Sequence, residues 1–194
     1  MSTQTSDTRS ADTFEGYLRA DPQSRPALSA EHQRFRHQSI MGTLSRRYYA
    51  HAFEPGCGAG ELTAQLARTC DRVSAIDVRP SEAARARSRC APWGSADVRC
   101  ADIRTYVPED PVDLIVFSEI GYYFSAPELI GIARNLVSRM MPGGEFIAAH
   151  WLNPGMDRVL HADAIHCQLL ANLPLRWLTG ERSGGLRIDL WKAS

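Results

Sequence analysis

Three glycines at alternate positions, Gly56, Gly58 and Gly60, follow an acid in the run Glu54-Pro-Gly-Cys-Gly-Ala-Gly60. Glycines at this spacing let the chain turn sharply and bring bare backbone amides up to a ligand. The helical pattern that follows, with Leu62, Leu66 and Ala67 on one face, points its positive end at the same place. A nucleotide-type cofactor is the expected tenant. Further polar residues stand at the ends of later strand-like runs: Asp77, Asp102 and Ser118-Glu119. A carboxylate at Asp77 can take both hydroxyls of a ribose, and one at Asp102 can accept from an adenine amino group. A dinucleotide oxidoreductase would also place an acid at Asp77, but its fingerprint is G-x-G-x-x-G. Here the spacing is G-x-G-x-G, and Glu54 beside a pyrophosphate would put two anions in one site. A ligand with a cationic amino group and a sulfonium suits that carboxylate better.

The elements that must position these residues alternate along the chain. Strand-like runs are expected at 49–54, 72–77, 96–101, 112–118 and 145–151, with helices at about 60–69, 81–90 and 126–140. Ser125-Ala-Pro-Glu128 predicts a capped helix start, and Pro142-Gly143-Gly144 a firm stop. Val112-Asp-Leu-Ile-Val-Phe117 is nearly continuous in apolar residues, as a central strand covered on both faces must be. Such alternation predicts an α/β fold, an open and mostly parallel sheet with helices on both sides. Past His150 a helix at about 157–171 is expected, then the runs 175–178 and 186–191 as an antiparallel hairpin around a turn at Gly180–Gly185. Residues 1–12 are rich in Ser, Thr and Asp and are expected to be disordered; 13–194 form one domain, with 13–44 as a helical lid interrupted by Pro22 and Pro26.

With 22 basic and 22 acidic residues the formal charge is zero, which argues against a partner bound through a broad basic surface, nucleic acid above all. Lys192 is the sole lysine, and Arg85, Arg87 and Arg89 are expected on an exposed helix face. Five cysteines without a C-x-x-C pair favour reduced thiols and a cytoplasmic protein over a disulfide framework or a zinc knuckle. No apolar run is long enough to span a membrane. His161 and His166 are five apart, about 140° around a helix, so they do not pair as zinc ligands and no metal is expected. Asp163 and His166, three apart, are weighed as a polar face over a cleft against a solvated helix face.

The order Glu54, Asp77, Asp102, Ser118-Glu119 and Pro142-Gly-Gly resembles the successive motifs of the class I S-adenosylmethionine (SAM) methyltransferases. The resemblance implies a Rossmann-like seven-stranded sheet of order 3-2-1-4-5-7-6, strand seven antiparallel. It implies that Gly56, Cys57, Gly58 and Gly60 line the methionyl part of SAM, with Glu54 near its ammonium. Asp77 and Val78 would hold ribose, Asp102 and Ile103 adenine, and Ser118 would flank the sulfonium. Cys57 needs only to be small there and is assigned no redox role. Three stretches are similar more closely to the nodulation N-methyltransferase (NodS-like) group: Tyr17-Leu-Arg-Ala-Asp-Pro22 with Glu31-His-Gln-Arg-Phe35; Ala52 to Gly58 with Cys70 to Val73 and Ala75-Ile-Asp77; and Ser118-Glu-Ile-Gly-Tyr-Tyr-Phe124 with Ala149-His-Trp151. Gln23 stands where that group often carries tryptophan. Arg34 would then bind the carboxylate of SAM.

The closer likeness implies a small-molecule acceptor, the free amine of a deacetylated amino sugar or saccharide. Glu119 and His150, at two strand tips, are the candidate proton acceptors. Each has a plain structural alternative, a turn cap for Glu119 and a hydrogen-bonded core histidine for His150. Tyr122 and Tyr123 are candidates for an aromatic wall with hydroxyls, one facing the cleft and the other inward. The competing readings are an O-methyltransferase of a small metabolite, which needs a stronger base, and a SAM-binding module without turnover.

Overall fold

Ser29 opens the first helix by accepting the amide of His32 on its hydroxyl. The computed structural model describes residues 29–152 and 159–194. The expected disordered tail, the lid before Ser29, and the residues at Tyr17–Gln23 lie outside them. Helix α1 is Ala30–Thr43, and from it the chain enters strand β1, Tyr49–Pro55. Helix α2 (Glu61–Leu66), β2 (Cys70–Asp77), α3 (Pro80–Cys90), β3 (Ala96–Cys100) and β4 (Val112–Ser118) follow. After a 3-10 turn at Gly121–Tyr123 come α4 (Ala126–Val137), β5 (Met140–Trp151), α5 (Ala162–Asn172), β6 (Arg176–Ser183) and β7 (Leu186–Lys192).

The seven strands form one sheet in the order β3-β2-β1-β4-β5-β7-β6, as the methyltransferase resemblance implies. β1 to β5 run parallel, and β7 lies antiparallel between β5 and β6. Every residue of β4 is buried. Its alternate side chains serve opposite faces: Ile115 and Phe117 pack with α4 and α5, Leu114 and Val116 with Ile40 of α1 and Leu62 and Leu66 of α2. Each large apolar side chain so buried contributes about 1.5–3 kcal/mol. Strand order reverses between β1 and β4, and the crevice at that point lies beyond their carboxyl ends. Among the described residues, no helix is long and apolar enough to cross a membrane.

The capping box expected at Ser125 is present, with Glu128 Oε2 accepting the Ser125 amide at 3.0 Å. Two expected stops have other jobs. The helix ends at Val137, short of 140, and Pro142-Gly143-Gly144 lies inside β5. There the pairing jumps from Val112↔Met140 to Leu114↔Glu145, so the segment bulges out of the ladder. Gly180 is likewise inside a strand, and the hairpin turn is confined to Gly184 and Gly185, both at positive φ. A side chain at 180 would place its Cβ 2.1 Å from Asp189 Oδ1 across the ladder.

Candidate functional site

β1 delivers Glu54 to the crevice, and the glycine loop then turns through three residues of positive φ, Gly56, Gly58 and Gly60. The last is also a close approach: a Cβ on Gly60 would lie 2.8 Å from the Cα of Ala86 in α3. The loop amides do not reach outward. Those of Gly56 and Cys57 donate to the Ile76 carbonyl at 2.8 and 2.9 Å, and that of Gly60 to the Cys57 carbonyl at 3.0 Å. The Gly58 amide donates to Asp77 Oδ2 at 2.9 Å. Three donors of the supposed anion cradle are therefore spent on tying the loop to the end of β2, and a fourth on closing the loop on itself. What the loop offers a ligand is carboxylate.

Glu54 is buried and accepts from the Thr63 hydroxyl at 2.6 Å. Burial pushes its carboxyl up to about 7, against the opposing pull of Thr63 and of the Arg36 guanidinium. Asp77 is also buried, and burial raises its carboxyl too, although the amides of Arg79 and Gly58 favour the ionised form. Its two oxygens each accept one of those amides, at 2.9 Å. Burial and these two carboxylates push the Cys57 thiol far up, so it holds no thiolate.

The space beyond the strand tips has two connected parts that share Gly56, Asp77, Ile120 and Tyr123. One is an apolar slot of about 370 Å³ including its open mouth, walled by Val78, Ala101, Ile103, Ile120 and Phe124. The other is a polar chamber of about 1160 Å³ including its open mouth, which Glu54, Arg36, His37, Ser118, Glu119 and the glycine loop surround. Asp102 sits between two slot residues but does not line the slot. Its carboxylate is held by the forked guanidinium of Arg104, with Oδ2 2.6 Å from Nη2.

Arg34 is not in the cleft. It is exposed and donates to the carbonyl of Ala30 in its own helix. Two residues further along a helix the direction changes by about 200°, and Arg36 is the arginine that enters the chamber. Its Nη1 donates to Ser118 Oγ at 3.0 Å, its Nη2 to Gln33 Oε1 at 2.6 Å. The Arg36 Nε is buried and has no hydrogen-bond partner among the described residues. Burial, with Arg36 beside it, lowers His37 to about 4. Gln33, Arg36, His37 and Ile40 stand at i, i+3, i+4 and i+7 on the inward face, but three of them are polar and form no apolar stripe that the sequence would show. Thr63, on the buried face of α2, carries no signal either.

At the tip of β4, Glu119 is the one non-glycine residue at positive φ (60°) among those described. Its Oε1 accepts the Trp151 amide at 2.8 Å and lies 2.7 Å from the Tyr122 hydroxyl, while its side chain borders the chamber. Tyr122 is the inward member of the tyrosine pair, fully buried, and Tyr123 lines the cleft. His150 is fully buried behind the tyrosines and reaches no cleft. Its Nε2 accepts the Gly121 amide at 3.2 Å, and its Nδ1 lies 3.1 Å from Nε2 of His166. The aromatic positions around it, Phe117 and Tyr122 among them, leave it in the core. Asp163 and His166 do not form one face over the cleft: His166 is buried, and Asp163 pairs with Arg182 and Arg187. No group of three or more metal-ligating side chains meets among the described residues.

Set beside known proteins, residues 11–163 match the model of the family described as nodulation protein S (NodS). A nodulation protein S of Bradyrhizobium diazoefficiens is 35% identical over 125 residues, 63% of this chain and 58% of that protein. The chain thus spans less than two thirds of the length of that relative. A suspected methyltransferase of Pseudomonas syringae is 30% identical, with a TM-score of 0.70 over 84% of this chain and 99% of that one. The fold is also that of the N-methyltransferase NodS of Bradyrhizobium japonicum, solved with S-adenosyl-L-homocysteine, at 23% identity and a TM-score of 0.76 over 95% and 98% of the two chains.

Proposed function

The chain belongs to the nodulation protein S (NodS) family, and from that premise we propose that it is a SAM-dependent methyltransferase acting on the free amine of a deacetylated amino sugar or saccharide. The observation that carries the cofactor is the chamber's charge pattern: a buried carboxylate at Glu54 shares it with the half-buried guanidinium of Arg36, whose Nε is buried and has no partner among the described residues. That pair matches the ammonium and carboxylate of a methionyl arm, and a phosphate would meet Glu54 and a loop with its amides turned away. Asp77 keeps lone pairs for two ribose hydroxyls after accepting two backbone amides. Val78, Ile103 and their neighbours give adenine an apolar slot, and Asp102 serves it by fixing Arg104 and the turn at 103–105.

Bound there, SAM supplies a methyl carbon already made electrophilic by its sulfonium. The chain's task is then alignment of the nucleophile and removal of one proton. Glu119 and Tyr123 border the acceptor side of the chamber. The groups available are poorly placed as bases: Glu119 Oε1 already accepts the Trp151 amide, His37 is held near 4, His150 is withdrawn into the core, and Glu54, raised to about 7, is taken up by the ammonium of SAM. A neutral amine attacks without prior deprotonation and loses its proton easily afterwards. An alcohol needs a stronger base than these. The site therefore favours N- over O-methylation.

Arg36→Ala is expected to weaken SAM binding by about 10- to 100-fold, the loss of one charge-assisted hydrogen bond. Arg34→Ala should leave it unchanged, and calorimetry on the two variants checks the assignment. For the acceptor, the protein is incubated with methyl-labelled SAM and a panel of amino sugars, their N-acetylated forms and unrelated phenols. Label on the free amines alone is the expected outcome. Label on the acetylated sugars or the phenols overturns the amine reading, and tight binding of SAM with no transfer favours a binding module.

A further inference from the structure

His150, His166 and Asp189 are 0, 0 and 7% exposed, and none of them touches the cleft. They form a continuous chain of hydrogen bonds. At one end a backbone amide, Gly121 N–H, can only donate, so His150 Nε2 accepts it and the His150 proton is on Nδ1. Nδ1–H then donates to His166 Nε2 at 3.1 Å, which places the His166 proton on Nδ1 as well. That proton goes to Asp189 Oδ2, 2.6 Å away. At the other end a carboxylate can only accept, and it demands the same direction independently. Arg187 Nε and Trp177 Nε1 hold the carboxylate in place at 2.9 and 3.0 Å. Burial keeps His166 from charging in spite of Asp189.

Both ends of the chain require glycine. A Cβ at Gly180 would collide with Asp189 Oδ1, and one at Gly121 would lie 3.0 Å from His150 Nε2 and 2.8 Å from Ile165 Cγ2. The turn that the relay grips also carries strain. Gly121 follows Glu119, at φ 60°, and Ile120, whose Cγ2 packs against the face of Gly56; Tyr123 lines the cleft two residues on. A residue held at positive φ without being glycine persists only when its surroundings over-determine it.

We infer that Asp189, His166 and His150 are positioning residues: their fixed tautomers aim a lone pair at Gly121 and so hold the Glu119–Tyr123 turn against the cleft. The inference deepens the methyltransferase reading, but its first readouts do not depend on it. Two-dimensional NMR of protein labelled with ¹⁵N-histidine should show both His150 and His166 with the proton on Nδ1. In His150→Phe the Gly121 N–H loses its acceptor, so the Gly121 amide exchanges faster and SAM affinity falls about three- to tenfold. His166→Gln, which can accept from His150 and donate to Asp189, should keep His150 protonated on Nδ1, the slow Gly121 exchange and SAM affinity. A wild-type His150 protonated on Nε2 overturns the inference. So does a folded His150→Phe protein with unchanged Gly121 exchange and SAM affinity. Should His150→Phe fail to fold, the wild-type tautomers and His166→Gln decide. Failure of SAM to bind the wild type would instead count against the methyltransferase reading, and would leave the tautomers and the exchange as described.

Discussion

Asp77→Ala is expected to weaken SAM binding by about 100-fold or more, because it removes a carboxylate accepting two hydroxyls, each worth roughly 1.5–3 kcal/mol as a charged hydrogen bond. The same change should destabilise the ligand-free protein. Asp77 accepts the amides of Gly58 and Arg79 and is 3% exposed. Losing it leaves two donors with no partner in the interior, at about 1–3 kcal/mol each, and a protein of this size loses roughly 2–4 °C of Tm per kcal/mol. Asp77→Asn separates the effects. Its amide oxygen still takes one backbone donor while its nitrogen opposes the other, so only part of the stability returns, and the charge that favours a ribose pair does not. Calorimetry for affinity and thermal unfolding for stability read the two losses. Unchanged SAM affinity in Asp77→Ala would remove Asp77 from the ribose site.

Glu54→Gln should do the opposite to stability and the same to binding. Its carboxyl titrates near 7 in the folded chain, against an ordinary 4.5. Between those values the folded protein holds a proton that the unfolded chain has released, so this group's contribution to stability falls as pH rises through the window, and stays at its lowest above 7. Glutamine removes that cost and retains an acceptor for Thr63. Above pH 7 the ligand-free variant should gain on the order of 1–3 kcal/mol, several degrees in Tm. SAM affinity should drop by about 10- to 100-fold, since the anion facing the ammonium is gone. Wild-type affinity should also fall as pH drops below 7, by up to about tenfold per unit, whereas the variant should be flat there. A variant that binds SAM as tightly as wild type, with the same pH profile, would mean that Glu54 does not face a cation.

The strand tips were legible because a buried parallel strand announces itself by apolar continuity, and the polar residue after it is conspicuous. Glu54, Asp77 and Ser118-Glu119 all reach the crevice for that reason. His150 stands at a comparable tip and was a candidate base on the same logic. It faces the other way because side chains alternate along β5, and His166 and Gly121 wait on that side to satisfy it. That His150 on β5, His166 on α5 and Gly121 after β4 meet in space cannot be seen in a sequence. The family likeness points to Arg34, but the helix turns that side chain outward and brings Arg36 into the chamber instead. Pro142-Gly143-Gly144 and Gly180 look like punctuation, yet both stand inside strands: the first is a bulge, and the second makes room for Asp189. Glycine marks a place where a side chain cannot be. Whether a turn or a neighbour excludes it is decided by tertiary packing.

The central claim is that the Glu54–Gly60 loop seats the zwitterionic arm of SAM rather than a phosphate, and one calorimetric comparison of two ligands tests it. The wild-type protein is titrated calorimetrically with SAM and, separately, with nicotinamide adenine dinucleotide. Saturable binding of SAM, lost in Glu54→Gln and Arg36→Ala, with no heat from the dinucleotide, is the result predicted. Binding of the dinucleotide with indifference to SAM would contradict it.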